Sequence, residues 1–199
     1  SEILETLKKW NPWARELPSG IKREASLNRI FPYVERKEVI VLRGIRRCGK
    51  STLMKQLMKE LINNGVGKKQ ILYLNLEDYS FASTLTLKLF EEVFASYMAY
   101  SNNQKKTYFF IDEIQKIPSW EKWIRTKYDL NENIKFIVSG SSASLLSKEL
   151  STLLTGRNLS FTIMPLSYSE SIKFSSNNDL DMYMTYFGFH EVVLEKSVE

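Results

Sequence analysis

An α/β fold built on a parallel sheet is what this chain predicts, and two observations carry that expectation. Short, continuously apolar runs of four or five residues recur along the sequence, and amphipathic helical stretches alternate with them. A run that is apolar at every position, rather than every second one, belongs to a strand covered on both faces. Helices joining such strands cross over them right-handedly and cover both faces of the sheet.

The elements follow in order. Ile3, Leu4, Leu7 and Trp10 fall at helical spacing until Asn11-Pro12 stops them, and a second helical stretch covers residues 21–31 before Pro32. Val39-Ile40-Val41-Leu42 is the first buried strand. After a glycine-containing loop, Leu53, Met54, Leu57, Met58, Leu61 and Ile62 mark a helix that Asn63-Asn64-Gly65 closes. Ile71-Leu72-Tyr73-Leu74 reads as the second strand, and Leu89, Phe90, Val93, Phe94, Tyr97 and Met98 as the next helix. Tyr108-Phe109-Phe110-Ile111 is the third strand, and Pro118-Ser119 opens a helix over Trp120–Asp129. Phe136-Ile137-Val138 is the fourth. A helix with Leu145, Leu146, Leu150, Leu153 and Leu154 closes at Gly156, and Phe161-Thr162-Ile163 makes the fifth strand. Ser175-Ser176-Asn177-Asn178 reads as a short loop, and no repeat or low-complexity tract is present.

Composition narrows the class. The chain has 199 residues, 43% hydrophobic and 26% charged, the balance of a folded globular protein rather than of a disordered or fibrous one. No apolar run approaches the roughly 18 residues of a membrane span, so no membrane partner is expected. Ser1-Glu2-Ile3-Leu4 has neither the basic nor the apolar region of a secretory signal, and the single Cys48 has no internal disulfide partner. A cytoplasmic location is the expectation. Lys+Arg 28 against Asp+Glu 23 leaves a net charge of +5. Its clusters are short: Arg43, Arg46 and Arg47; Lys68 and Lys69; Lys105 and Lys106. Contact with nucleic acid and ordinary solvated turn lysines both remain open for them.

One motif is specific. Gly44-Ile45-Arg46-Arg47-Cys48-Gly49-Lys50-Ser51 matches G-x-x-x-x-G-K-[ST] without substitution, and it lies between a buried strand and an amphipathic helix. Chemistry needs that setting. Glycines let the backbone turn so that its N–H groups converge on phosphate at the positive end of the helix. Residues Gly44 to Thr52, that is Gly44, Ile45, Arg46, Arg47, Cys48, Gly49, Lys50, Ser51 and Thr52, are therefore the candidate phosphate contacts. Lys50 neutralises the β- and γ-phosphates, and the Ser51 hydroxyl is a ligand for Mg²⁺. Cys48 is either a small side chain tolerated between the amides or a thiol acidified by Arg46, Arg47, Lys50 and the helix end.

Downstream, Tyr108-Phe109-Phe110-Ile111 ends in Asp112-Glu113, the Walker B pattern. Asp112 is then the metal carboxylate and Glu113 the group that polarises the attacking water. The strand Ile71-Leu72-Tyr73-Leu74 intervenes between this motif and the phosphate loop, which suits the NTPase branch with an additional strand and a catalytic glutamate. A GTPase would carry D-x-x-G and N-K-x-D, and neither occurs; Asn75-Leu76-Glu77-Asp78 lacks the lysine. Adenine is preferred. Ser139, at the tip of the fourth strand in Ser139-Gly140-Ser141-Ser142, either contacts the γ-phosphate or attacking water or caps a helix. Arg157, in Thr155-Gly156-Arg157, is either a helix-end cation or a finger reaching a neighbour's γ-phosphate.

Together these motifs resemble the AAA-type ATPases of the archaeal ATPase superfamily, prokaryotic proteins related to replication initiator ATPases. The resemblance extends over most of residues 10–195 and includes Asn11-Pro12-Trp13, Ile21-Lys22-Arg23-Glu24, Asn75-Leu76-Glu77-Asp78, Asp112-Glu113-Ile114-Gln115 and Pro165-Leu166-Ser167-Tyr168-Ser169-Glu170. It implies a three-layer P-loop NTPase with a parallel five-stranded sheet ordered 5-1-4-3-2, and ATP and Mg²⁺ as cofactors. It also implies that the segment around Arg23 covers the adenine and that a homo-oligomer forms through Arg157. The expected activity is Mg²⁺-dependent ATP hydrolysis coupled to a change of shape or assembly. A non-hydrolysing ATP-binding switch and an ATP-regulated nucleic-acid module are the alternatives. The expected division is a helical segment over 1–36, the ATPase core over 37–170 and the start of a C-terminal module over 171–199. Family members usually continue well beyond this length, so most of that module is expected to be missing. His190, the only histidine, is read as a surface residue.

Overall fold

The computed structural model describes residues 2–102, 104–130, 133–141 and 154–174, together with Met184. Five strands, β1 (Val39–Gly44), β2 (Ile71–Asn75), β3 (Thr107–Asp112), β4 (Ile134–Ser141) and β5 (Asn158–Thr162), form one sheet in the order β2-β3-β4-β1-β5. Every neighbouring pair is parallel. Read from the other edge, this is the expected 5-1-4-3-2. β4 lies between the phosphate-loop strand and the acidic strand, as the additional-strand arrangement requires.

The strands alternate between two cores. Val39 and Val41 of β1, Leu72 and Leu74 of β2, Phe109 and Ile111 of β3, and Phe136 and Val138 of β4 face one side. Helices α4 (Leu87–Ser101) and α5 (Trp120–Asp129) cover that side through Leu89, Phe90, Val93, Tyr97, Trp120, Trp123 and Ile124. Ile40, Leu42, Ile71, Tyr73, Tyr108, Phe110 and Ile137 face the other side, under α2 (Glu24–Ile30) and α3 (Lys50–Asn63). Two-residue periodicity splits each apolar run between the layers, so every position has to be hydrophobic. Each buried aromatic or branched residue contributes roughly 1.5–3 kcal/mol relative to exposure. The three-layer architecture expected from sequence is present.

The N-terminal segment belongs to these layers. Helix α1 (Glu2–Lys8) packs on α4 and buries Leu7 in the first core, while Leu27, Ile30 and Val34 enter the second. The boundary expected after residue 170 falls within a further helix, α6 (Tyr168–Phe174). The helix expected over Leu145, Leu146, Leu150 and Leu153, like Ser142 and His190, lies outside the described residues. Leu154 is buried, and Gly156 turns with φ 71° before β5. Among the described residues no helix is long and apolar enough to cross a membrane.

Candidate functional site

The strand ends determine where chemistry gathers. In β1 and β4 the parallel register sets Leu42 beside Ser139 and Gly44 beside Ser141, and in β2 and β3 it sets Asn75 beside Asp112. Residues just past these positions share one rim of the sheet, which in open α/β folds is where ligands bind.

The loop from β1 to α3 makes two demands on its glycines. A Cβ on Gly44 would lie 2.4 Å from the Ile163 carbonyl oxygen and 2.6 Å from Cys48 Sγ, so only hydrogen fits. Gly49, immediately before α3, has φ 90°, and Arg47 also adopts a left-handed backbone with φ 65°. Lys50 then enters α3 nearly buried, its Nζ donating to the carbonyls of Gly44 (3.2 Å) and Ile45 (3.0 Å). A cleft of about 340 Å³ opens here, lined by Arg46, Arg47, Gly49, Lys50, Ser51, Thr52, Glu77 and Glu113. Three cations and a helix N-terminus oppose two carboxylates, which makes its floor positive.

Behind the floor lies a hydrogen-bonded carboxylate. Asp112, 3% exposed, accepts from the Ser139 hydroxyl on one oxygen and from the Tyr73 hydroxyl on the other, the latter at 2.6 Å. Ser139 Oγ in turn accepts from the Glu113 amide at 3.2 Å. Burial, with Asp112 next to it, raises the Tyr73 hydroxyl well above the usual phenol range, so it stays a donor. Glu113 takes a left-handed backbone, φ 55° and ψ 47°, which turns its side chain out of β3 into the cleft. One Glu113 oxygen accepts from Gln115 Nε2 at 2.5 Å; the other lies 3.8 Å from Lys50 Nζ.

Three further residues singled out by sequence do not line the cleft. Arg23 does not line the cleft. Its guanidinium is buried beneath the loop, where Nη1 donates to the Cys48 carbonyl (3.0 Å) and Nη2 to that of Met164 (3.1 Å). Nε and Nη2 both pair with Glu170 of α6, at 3.0 and 3.2 Å. A guanidinium engaged in this way supports the loop from beneath. Cys48 is 2% exposed and packs in the second core. Burial raises its thiol pKa, outweighing the lowering by Lys50 and Arg23, so the acidified-thiol alternative is corrected. Arg157 stands at the opposite end of the sheet. Its carbonyl accepts from Val39 N, at the start of β1, and its Nε donates to Asp129 Oδ1 at 3.0 Å. The six residues of β1, from Val39 to Gly44, span about 17 Å between that position and the loop. It cannot serve the cleft of its own chain. The basic clusters are partly engaged within the chain: Arg43 bonds Thr162, Lys106 pairs with Glu35, and Lys69 lies over the Tyr100 ring.

Sequence reasoning passed over Tyr73, Gln115 and Glu77 as site residues. Tyr73 reads as one more apolar position in a strand, and only sheet order reveals its hydroxyl beside Asp112. Glu77 and Gln115 each follow a strand end by a few residues, and that offset was the available signal.

Sheet order, glycine cradle, buried lysine and acidic strand end define an AAA-type P-loop ATPase fold. The AAA domain profile matches residues 36–172, more than half the chain, and the protein belongs to that family. An uncharacterized protein of Haemophilus influenzae is 34% identical over 183 residues, 87% of this chain and 45% of that protein. The chain thus spans under half the length of that relative. The fold is shared with S. cerevisiae Hsp104 in its extended complex with casein, at TM-score 0.55 and 16% identity, over 77% of this chain and 28% of that one. It is also shared with Aeropyrum pernix ORC1 in complex with DNA, at TM-score 0.51 and 15% identity, over 78% and 49%.

Proposed function

We propose that this chain binds ATP with Mg²⁺ and hydrolyses it, using turnover to change its shape or its assembly. The observation that carries the reading is the convergence of Lys50, Ser51 and Glu113 on one cleft, with Asp112 held directly behind it. The residues fit both groups. Gly44 packs so closely on the Ile163 carbonyl and Cys48 Sγ that no Cβ fits, which holds the loop in its tight turn, and Arg46, Arg47 and Lys50 line the cleft with the positive charge a polyphosphate needs. Ser51 and Asp112 supply hard oxygen donors, the kind Mg²⁺ takes. Among the described residues no group of three or more His, Cys, Asp or Glu forms a metal cage.

Each residue then has a task. Amides of residues 45–51 and the α3 N-terminus bind the β-phosphate, and Lys50 neutralises charge toward the γ-phosphate. Ser51 would hold Mg²⁺ directly and Asp112 through its water shell, and the cation when bound would offset charge that builds up on the phosphates. Glu113 orients and polarises the attacking water, and Ser139 fixes the Glu113 backbone while hydrogen-bonding Asp112. Arg157 acts on a neighbouring subunit's site. The test is phosphate release together with ATP and ADP affinities, each with and without duplex DNA. Release that requires Mg²⁺ is expected; tight ATP binding with no release would overturn hydrolysis. A non-hydrolysing switch is the second reading, favoured by the grip of Gln115 and Lys50 on both Glu113 oxygens. Release that appears only with DNA would favour a nucleic-acid module.

A further inference from the structure

Asp112 is a buried carboxylate held at both oxygens, and one of its two anchors comes from β2, which carries neither the phosphate loop nor the acidic strand end. The Tyr73 side chain starts on β2, is 1% exposed, and reaches across to β3 to donate to Asp112 Oδ2 at 2.6 Å. Its hydroxyl has no other partner described, and burying a phenol for a single bond is worthwhile only where that bond matters. Tyr73 is itself held. β2 is an edge strand, and the Asn11 side chain stands where a further strand would be: Oδ1 accepts from Tyr73 N at 2.6 Å, and Nδ2 donates to Tyr73 O at 2.8 Å. Asn11 is fully buried and spends its remaining donor on Leu7 O at 2.8 Å, at the end of α1. A chain of bonds therefore runs from the N-terminal segment through Asn11 and Tyr73 to Asp112.

The geometry points to Tyr73 as a positioning residue that holds Asp112 in the orientation in which it accepts from the hydration shell of Mg²⁺, with Asn11 setting the place of Tyr73. This rests on the Mg²⁺-nucleotide reading above. An ionised carboxylate has about four acceptor positions. Tyr73 and Ser139 occupy one on each oxygen, which fixes the plane of the group and directs what remains. Without the phenol, the carboxylate rotates about its Cβ–Cγ bond, and the cost falls on metal affinity rather than on nucleotide contact. Outer partners of metal ligands are commonly worth ten- to a hundredfold in affinity.

The test measures binding, not turnover. A fluorescent ADP analogue is titrated with the parent chain and with Tyr73→Phe, in EDTA and over a range of Mg²⁺ concentrations, with thermal unfolding as a control. The ring is retained, so the fold is expected to persist. Tyr73→Phe should raise the Mg²⁺ midpoint about tenfold and leave the affinity in EDTA unchanged. Asp112→Asn should raise the midpoint further, and adding Tyr73→Phe to it should change little, because the phenol acts only through that carboxylate. A Tyr73→Phe midpoint equal to that of a clearly Mg²⁺-dependent parent would overturn the assignment. So would equal fold-losses with and without Asp112→Asn, the mark of a purely structural role. A parent whose ADP affinity ignores Mg²⁺ would instead sink the metal reading and this inference with it.

Discussion

Lys50 and Glu113 face the same cleft with opposite charge, and their substitutions should separate binding from chemistry. The Lys50 ammonium is buried against the loop carbonyls of Gly44 and Ile45. Lys50→Ala removes it while leaving the backbone turn, which Gly44 and Gly49 define. ATP affinity should fall by roughly one to two orders of magnitude, since a charge-assisted contact inside a partly desolvated site is worth roughly 1.5–3 kcal/mol. Calorimetry checks this, and an unchanged Kd would count against the loop as the phosphate site. Glu113→Gln keeps the shape and the hydrogen bond from Gln115 but loses the charge that polarises water. ATP should bind with parental affinity and persist unhydrolysed, a loss of about 10²–10⁴ in rate. Single-turnover kinetics reads it directly; parental turnover in this variant would remove Glu113 from the chemistry.

Elements are tied together at the other end of the sheet, away from the cleft. Lys135 of β4 is 1% exposed, and its Nζ donates to the carbonyls of Tyr33 (2.9 Å), Arg36 (2.7 Å) and Glu38 (2.5 Å). It thereby pins the turn that leads from α2 into β1. Three acceptors, with Glu38 and Glu35 nearby, favour the ammonium; burial opposes it, and Lys106 and Arg36 add repulsion. Burial wins, and the pKa drops from 10.5 to about 7. The sign follows from proton counts. Between pH 7 and 10.5 the unfolded chain holds a proton that the folded chain has released, so this group makes stability rise with pH. Denaturant unfolding at pH 7, 8 and 9 should show that rise, by up to about 1.4 kcal/mol per pH unit. Lys135→Met should flatten it; an identical slope in both proteins would mean that the ammonium stays charged when folded.

At the scale of the whole molecule, Arg157 and the cleft sit at opposite ends of β1, so only a second copy brings them together. Within the chain Arg157 is paired with Asp129, whose carboxyl it holds below the usual range through a direct hydrogen bond. That pair is surface-exposed and weak, and a stronger phosphate partner would displace it. Specific ATPase rate should therefore rise with protein concentration, and Arg157→Ala should abolish the rise while leaving ATP affinity intact. A cation supplied in trans is worth roughly 10³–10⁵ in rate. Mixing Arg157→Ala with Glu113→Gln chains should restore part of the activity, since some interfaces then join an intact arginine to an intact glutamate. A flat specific rate and an inactive mixture would leave Arg157 as a helix-end cation.

What the sequence determined by itself was whatever short spacing encodes. A run of apolar residues such as Val39-Ile40-Val41-Leu42 announces a strand buried on both faces, and Gly44 to Ser51 announces a phosphate loop, because eight consecutive residues make nearly the whole device. The five strands, helices α1 to α5, the fold class, and the adjacency of Asp112 and Glu113 were legible for the same reason. Tertiary structure alone decided which distant side chains meet. Arg23 carries no local sign of whether it faces nucleotide or supports the loop; the choice came from Cys48, Met164 and Glu170 converging on it over up to 147 positions of sequence. The charged neighbours of Cys48 leave an inert or an acidified thiol open to a reader of the sequence, and depth in the second core decides it by raising the pKa. Tyr73 reads as an ordinary core aromatic in its strand, and its hydroxyl acquired meaning only when β3 was laid beside β2. Hydrophobic patterning is a property of neighbours along the chain, whereas hydrogen-bond pairing depends on neighbours in space, and only the folded sheet specifies those.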